Sequence, residues 1–333
     1  MRVFKFTLVA AFCLMATFTQ AAGFRFIRVP ADAAGAMLQA AVWYPCLDQV
    51  GEVKLPAITL SATQNCAVSG AKLPLIVISH GFGSYFAVHH DIAEALADGG
   101  FAVVALSHPV DTGDGDMNRA DTLAVLTERP TDIKRLIDYM LSAWSDRAKL
   151  APDNVGFFGF SRGGYTGLVV AGGNPDIRKA VAFCPEGSPK PSCGQLRRNE
   201  IPTQAFVHDQ RVKALVIADP GLGPLFDRDG LKDVKIPIQL WASELSGEAR
   251  TGGEVTLDYV STIDRDLPVK PDYHLVPGAG HFTFLPPCDP DSTKNFPNLC
   301  TDRPGFDRAA FHKEFNAAVL AFFRKHLART SQP

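Results

Sequence analysis

Several things this sequence lacks narrow the field first. Neither sign of charge dominates: 33 Lys+Arg stand against 35 Asp+Glu in 333 residues, a formal net charge of −2. There is no basic patch or polybasic arm of the kind that attracts nucleic acid or an anionic membrane. No two cysteines have C-x-x-C spacing, so a zinc site is not expected. There is neither an internal repeat nor a long linker, which favours one domain over two. With 46% hydrophobic and 20% charged residues, the chain can build an ordinary globular core and is not of disordered composition.

Residues 1–21 read as an export signal. Arg2 and Lys5 give a positive start, Leu8 to Phe18 is apolar, and Thr19-Gln20-Ala21 resembles a small-x-Ala cleavage site, with Ala22 as an alternative end. The apolar stretch is too short to span a bilayer comfortably, so no stable membrane span is expected once it is removed. Phe12 precedes Cys13 where a lipoprotein signal needs a small residue, so lipid attachment is not expected. Export, to a periplasm or to the outside, implies an oxidising compartment. Six cysteines remain after the signal. Proximity in sequence groups them as Cys46 with Cys66, Cys184 with Cys193 and Cys288 with Cys300, although six cysteines allow many connectivities.

Residues 22–29 and 36–44 read as two strands joined by a turn. The continuous apolar runs 73–79 and 101–106 fit strands buried on both faces of a parallel sheet. Further strands are expected at 213–218, 236–242 and 274–276. Helices are expected from His89 to Leu96, from about Arg129 to Ala143, and from Asp307 to about Leu327, where Phe311, Phe315, Ala318, Val319 and Phe322 share one face. Alternation of strands and helices predicts an α/β fold with a mostly parallel, doubly wound sheet. Residues 172–212, rich in Pro, Gly and Cys, read as an irregular excursion.

Gly159-Phe160-Ser161-Arg162-Gly163 is the most informative stretch. An apolar run precedes it and an apolar helical segment follows, which is the strand–turn–helix setting of a nucleophile elbow. The flanking glycines let strand and helix approach without a side-chain clash. A serine hydroxyl at neutral pH needs a base to take its proton and an acid to orient that base. Both partners should lie beyond later strands, in the order Ser, acid, His. His281, after Pro277-Gly278-Ala279-Gly280 at a strand end, is the expected base. The acid is expected to be Asp219, at the end of strand 213–218, with Glu244 as the alternative. A tetrahedral intermediate needs backbone N–H donors already aimed at its oxygen. Arg162 should supply one at a helix start, and Phe82, in His80-Gly81-Phe82-Gly83, the other. His80 itself is expected to support that loop.

Other conspicuous residues have plainer readings. His89-His90-Asp91 reads as a helix start, since no third ligand pattern follows. Asp111, Asp114 and Asp116 lack the closing Glu of a calcium loop, so they read as a solvated loop. No metal or cofactor is expected.

With these residues in hand, the chain resembles the α/β-hydrolase superfamily. More narrowly, it looks like the predicted dienelactone hydrolases that border the platelet-activating-factor acetylhydrolases. The matching pieces are Ser79 to Gly83, Gly159 to Gly164, Ala218-Asp219-Pro220 with Leu225-Phe226, and Gly278 to Phe282. The resemblance implies Asp219 as the acid and oxyanion donors at the residue after His-Gly and the residue after the nucleophile. It also implies that the cysteine-bearing insertion, 172–212, walls or lids the pocket. True dienelactone hydrolases use a cysteine nucleophile, and this chain has serine. The expectation is therefore a single catalytic domain over 22–333, an exported serine hydrolase acting on small-molecule carboxylic esters, short-acyl or lipid-like, through an acyl-enzyme. An amide or peptide hydrolase and a non-catalytic binding protein on the same fold are the alternatives.

Overall fold

The computed structural model describes residues 21–56, 58–113, 115–245 and 257–327. The expected signal, apart from Ala21, and Asp114 lie outside the described residues. Among the described residues there are eleven strands: β1 Ala21–Val29, β2 Leu38–Cys46, β3 Val53–Lys54, β4 Thr59–Leu60, β5 Thr63–Gln64, β6 Leu73–Ser79, β7 Ala102–Ser107, β8 Leu150–Phe160, β9 Val212–Ala218, β10 Ile238–Ser243 and β11 Asp272–Val276. Nine form one sheet in the order β11-β10-β9-β8-β6-β7-β2-β1-β5, and β3 pairs with β4 in a small ribbon. From β7 to β11 the pairing is parallel. β2 is antiparallel to both β1 and β7. The sheet is thus mixed but largely parallel and flanked by helices, the α/β-hydrolase fold.

Strand periodicity explains the two-sided core. Leu75, Val77, Ala102, Val104, Val155 and Phe157 enter one layer, while Ile76, Ile78, Val103, Ala105 and Phe158 enter the other. Both faces are covered, so the strands carry continuous apolar runs and not an alternating pattern. The helix Arg308–Leu327 closes the second layer with Phe315, Val319, Phe322 and Phe323. Each such side chain contributes roughly 1.5–3 kcal/mol on burial.

Two elements differ from the sequence expectation. The helix expected near Arg129 begins a turn earlier and spans Val125–Ser142, with Pro130 inside it. Proline removes the N–H that would bond the carbonyl four residues back. That carbonyl, on Leu126, accepts instead from the Tyr165 hydroxyl at 3.2 Å, so a tertiary bond replaces the missing local one. The excursion 172–212 is also less irregular than expected. It contains a 3-10 segment, Ile177–Phe183, and a short helix, Pro191–Arg197, joined by the Cys184–Cys193 disulfide. Cys46–Cys66 and Cys288–Cys300 complete the pairing by sequence proximity.

Candidate active site

Parallel strands bring their carboxyl ends to one rim, and the site is built there. Ser161 follows β8 and opens the helix Arg162–Val170. Its backbone is held at φ 54, ψ −119, a region few non-glycine residues visit. The turn is enforced from both sides. A Cβ on Gly159 would lie 2.2 Å from the Gly163 carbonyl oxygen, and one on Gly163 would lie 2.0 Å from that of Ser79. Only glycine allows the backbones to approach this closely. The Ser161 N–H is anchored to the Ala218 carbonyl at 3.0 Å, tying the turn to the end of β9.

Ser161 Oγ lies 3.0 Å from His281 Nε2, and His281 Nδ1 lies 3.1 Å from Asp219 Oδ2. Asp219 is wholly buried and His281 is nearly so. The imidazole stacks on Phe160, ring centroids 4.6 Å apart, so the ring rests on an apolar floor supplied by the residue before the serine. Asp219 also accepts from Ser243, whose backbone N–H reaches Oδ1 at 2.7 Å and whose hydroxyl reaches Oδ2, the oxygen that faces His281. These donors occupy the hydrogen-bonding positions of the buried carboxyl. The other candidate acid, Glu244, does not face the ring. It accepts from the Gly278 N–H at 2.7 Å and so braces the turn that leads to His281. The short helical turn bearing His281 is tied to the C-terminal helix as well, because His312 Nε2 donates to the Thr283 carbonyl and Nδ1 lies 2.7 Å from Asp91.

The loop His80 to Gly83 lies against the serine: a Cβ on Gly81 would sit 3.3 Å from Ser161 Cβ. His80 is internal to the loop's support. Its Nδ1 bonds the Gly81 carbonyl at 2.6 Å and its Nε2 accepts from the His108 N–H at 3.2 Å. Burial, helped by the Arg129 charge, pushes the His80 imidazole down to about 3, so it is a neutral spacer. The Phe82 ring is half exposed at the rim, with the Arg162 guanidinium over its face at 4.4 Å. The backbone of the loop and the start of the helix Arg162–Val170 thus flank the serine hydroxyl.

Beneath this lies a polar cluster that the sequence reading missed. The expectation of a solvated loop fails at Asp111, which is completely buried. Asp111 accepts from Arg129 at 2.6 Å, from Arg162 at 3.0 Å and from the Gly83 N–H at 2.7 Å. Burial works against its ionisation, but the two guanidinium groups hold its carboxyl below the ordinary range. Arg129, also fully buried, donates to Thr166 Oγ1 at 3.1 Å, to Ser79 Oγ at 3.0 Å and to the His80 carbonyl. Ser79 Oγ lies 3.0 Å from His108 Nε2, and His108 Nδ1 lies 3.0 Å from Asp132. One signal was available. Arg129 falls on the same helical stripe as Leu126, Ile133 and Leu136, and an arginine on a buried stripe requires a buried anion.

Two clefts border the rim. One of about 530 Å³ is lined by Leu245, Gly280, His281, Phe282 and Arg303 among others. A second, of about 60 Å³, lies between Arg162, Leu222, Phe183 and the Cys184–Cys193 disulfide of the insertion. The segment after His89 does form a helix start: His89 precedes the helix His90–Asp98, and Asp91 is engaged by His312 and Asn316. No helix among the described residues is long and apolar enough to cross a membrane.

Comparison with known proteins fits this geometry. Residues 60–216 match the family model of the dienelactone hydrolase family. No curated protein matches the chain. Among solved structures, the chain is similar to a ferulic acid esterase from Streptomyces cinnamoneus, with 19% identity over 96% of this chain and 95% of that one and a TM-score of 0.60. It is similar also to a dienelactone hydrolase from Anabaena variabilis ATCC 29413, with 15% identity over 92% and 99% of the two chains and a TM-score of 0.52. At these identities the likeness is one of fold.

Proposed function

We propose that this chain, an α/β-hydrolase-fold protein whose residues 60–216 match the dienelactone hydrolase family model, is an exported serine hydrolase that cleaves carboxylic esters through an acyl-enzyme. The observation that carries the reading is the unbroken relay from Ser161 Oγ through His281 to Asp219, with separations of 3.0 and 3.1 Å. Ser161 Oγ attacks the ester carbonyl as His281 Nε2 takes its proton. Asp219 keeps the imidazole in the Nδ1–H tautomer and stabilises the imidazolium that forms. The Phe82 and Arg162 backbone N–H groups receive the oxyanion. Each such donor is worth about 3 kcal/mol in the transition state. His281 then protonates the leaving alcohol, and activates the water that releases the acid and restores Ser161.

Residues 22–333 act in this reading as one catalytic domain, with 172–212 forming a wall beside Arg162. Three disulfides suit an oxidising compartment, in keeping with an N-terminal export signal. The test is a panel of p-nitrophenyl esters of graded acyl length beside anilide and peptide substrates, run on wild type and Ser161→Ala. Ester turnover is expected to exceed amide turnover and to fall by about three orders of magnitude or more in the variant. Faster amide cleavage would reassign the substrate class. Undiminished ester cleavage by Ser161→Ala would remove the mechanism.

A further inference from the structure

We propose that Asp111 is a positioning residue for the oxyanion donors: its buried carboxylate fastens the loop carrying Phe82 to the helix opened by Arg162, with Arg129 as the counter-charge beneath. This rests on the ester-hydrolase reading given above.

The two donors belong to segments about eighty positions apart in sequence. Asp111 supplies that link. One oxygen accepts from the Gly83 N–H, next to Phe82, at 2.7 Å. The other accepts from the Arg162 side chain at 3.0 Å, on the very residue whose backbone N–H is the second donor. Arg162 is held further by the Ala120 carbonyl at 2.6 Å and covers the Phe82 ring. Arg129 binds the same carboxylate and, with its remaining N–H groups, grips the His80 carbonyl, Ser79 Oγ and Thr166 Oγ1. The loop's first residue, the end of β6 and the first turn of the nucleophile helix are therefore all pinned to one ion pair.

Its placement distinguishes this pair from one that only stabilises. Besides Arg129, the donors to Asp111 come from the two arms that must converge on a developing oxygen, and both arms reach one carboxylate. An oxyanion hole works by preorganisation, and small misplacements of its donors are costly. Loosening the clamp should therefore raise the barrier of the chemical step and leave ground-state binding of the ester nearly unchanged.

The experiment uses the full exported chain and two variants. Arg162→Met keeps the backbone N–H and leaves Asp111 and Arg129 as a one-to-one pair, so burial remains balanced. Asp111→Asn keeps the size and removes the charge. Active sites are counted by labelling Ser161 with a fluorophosphonate, and kcat is expressed per labelled site. The expected result is a fall in kcat per site of about tenfold in Arg162→Met and about 10–100-fold in Asp111→Asn, with KM within about threefold of wild type. A purely structural role predicts fewer labelled sites and a lower Tm with kcat per site unchanged. That result in Arg162→Met would overturn the proposal, whether or not Asp111→Asn folds. Failure of wild-type Ser161 to label would instead remove the ester-hydrolase reading itself.

Discussion

Ser243 and Asp219 are bonded twice, backbone N–H to Oδ1 at 2.7 Å and hydroxyl to Oδ2. The carboxylate that faces His281 is thus aimed by the end of the neighbouring strand. Replacing Ser243 with Ala keeps the N–H bond and removes the hydroxyl. We expect kcat to fall about 3- to 10-fold with KM little changed, in line with the loss of one charge-assisted bond to an orienting group. Steady-state kinetics on a chromogenic ester would check this, and wild-type kcat would show that the N–H alone suffices.

Gly163 faces the carbonyl of Ser79 across the elbow, where an added Cβ would stand 2.0 Å from that oxygen. The obstacle is backbone on both sides and cannot swing away. Gly163→Ala should cost about 3 kcal/mol or more, or prevent soluble expression. Denaturant unfolding gives the answer; a loss below about 1 kcal/mol would mean that the elbow opens more readily than its contacts indicate.

The Tyr165 hydroxyl occupies the Leu126 carbonyl that Pro130 leaves without a helical partner. Tyr165→Phe should leave that buried oxygen unsatisfied and lower stability by about 1–3 kcal/mol. In Tyr165→Phe with Pro130→Ala, the restored N–H should recover most of the loss. Thermal melts of the single and double variants test the coupling, and simple additivity of the two changes would refute it.

Asp132 gives a pH dependence with a definite sign. Burial raises its carboxyl to about 7, against the pull of the Arg135 and Arg129 charges, from an unfolded value of 3.8. Between these values the folded chain holds a proton that the unfolded chain has lost. This contribution to stability is therefore complete below about pH 4 and is lost as pH rises through about 7. Asp132→Asn cannot ionise and can still accept from His108. Its Tm relative to wild type should accordingly climb between about pH 5 and pH 8. A difference that stays flat across that range would contradict the assignment.

The local pattern was the more readable part of this protein. The runs 73–79 and 101–106 are apolar on both faces because helices cover both faces of the sheet, and that information is carried by consecutive residues. The elbow was legible for a similar reason, since its glycines answer a steric need within five positions. His281 and Asp219 could be proposed because loops after parallel strands share one rim, so order along the chain implies closeness in space.

What only the tertiary structure decided was which charges meet. Asp219 and Glu244 both end strands, and sequence favoured Asp219 while keeping Glu244 as the alternative acid. The register of β9, β10 and β11 places Ser243 and His281 around Asp219 and turns Glu244 toward Gly278. Asp111 looked like a solvated loop residue because its neighbours are polar, and its partners Arg129 and Arg162 lie 18 and 51 positions away. Short-range sterics are written in adjacent residues. The pairing of buried charges depends on where distant segments pack, and it is settled when the sheet assembles.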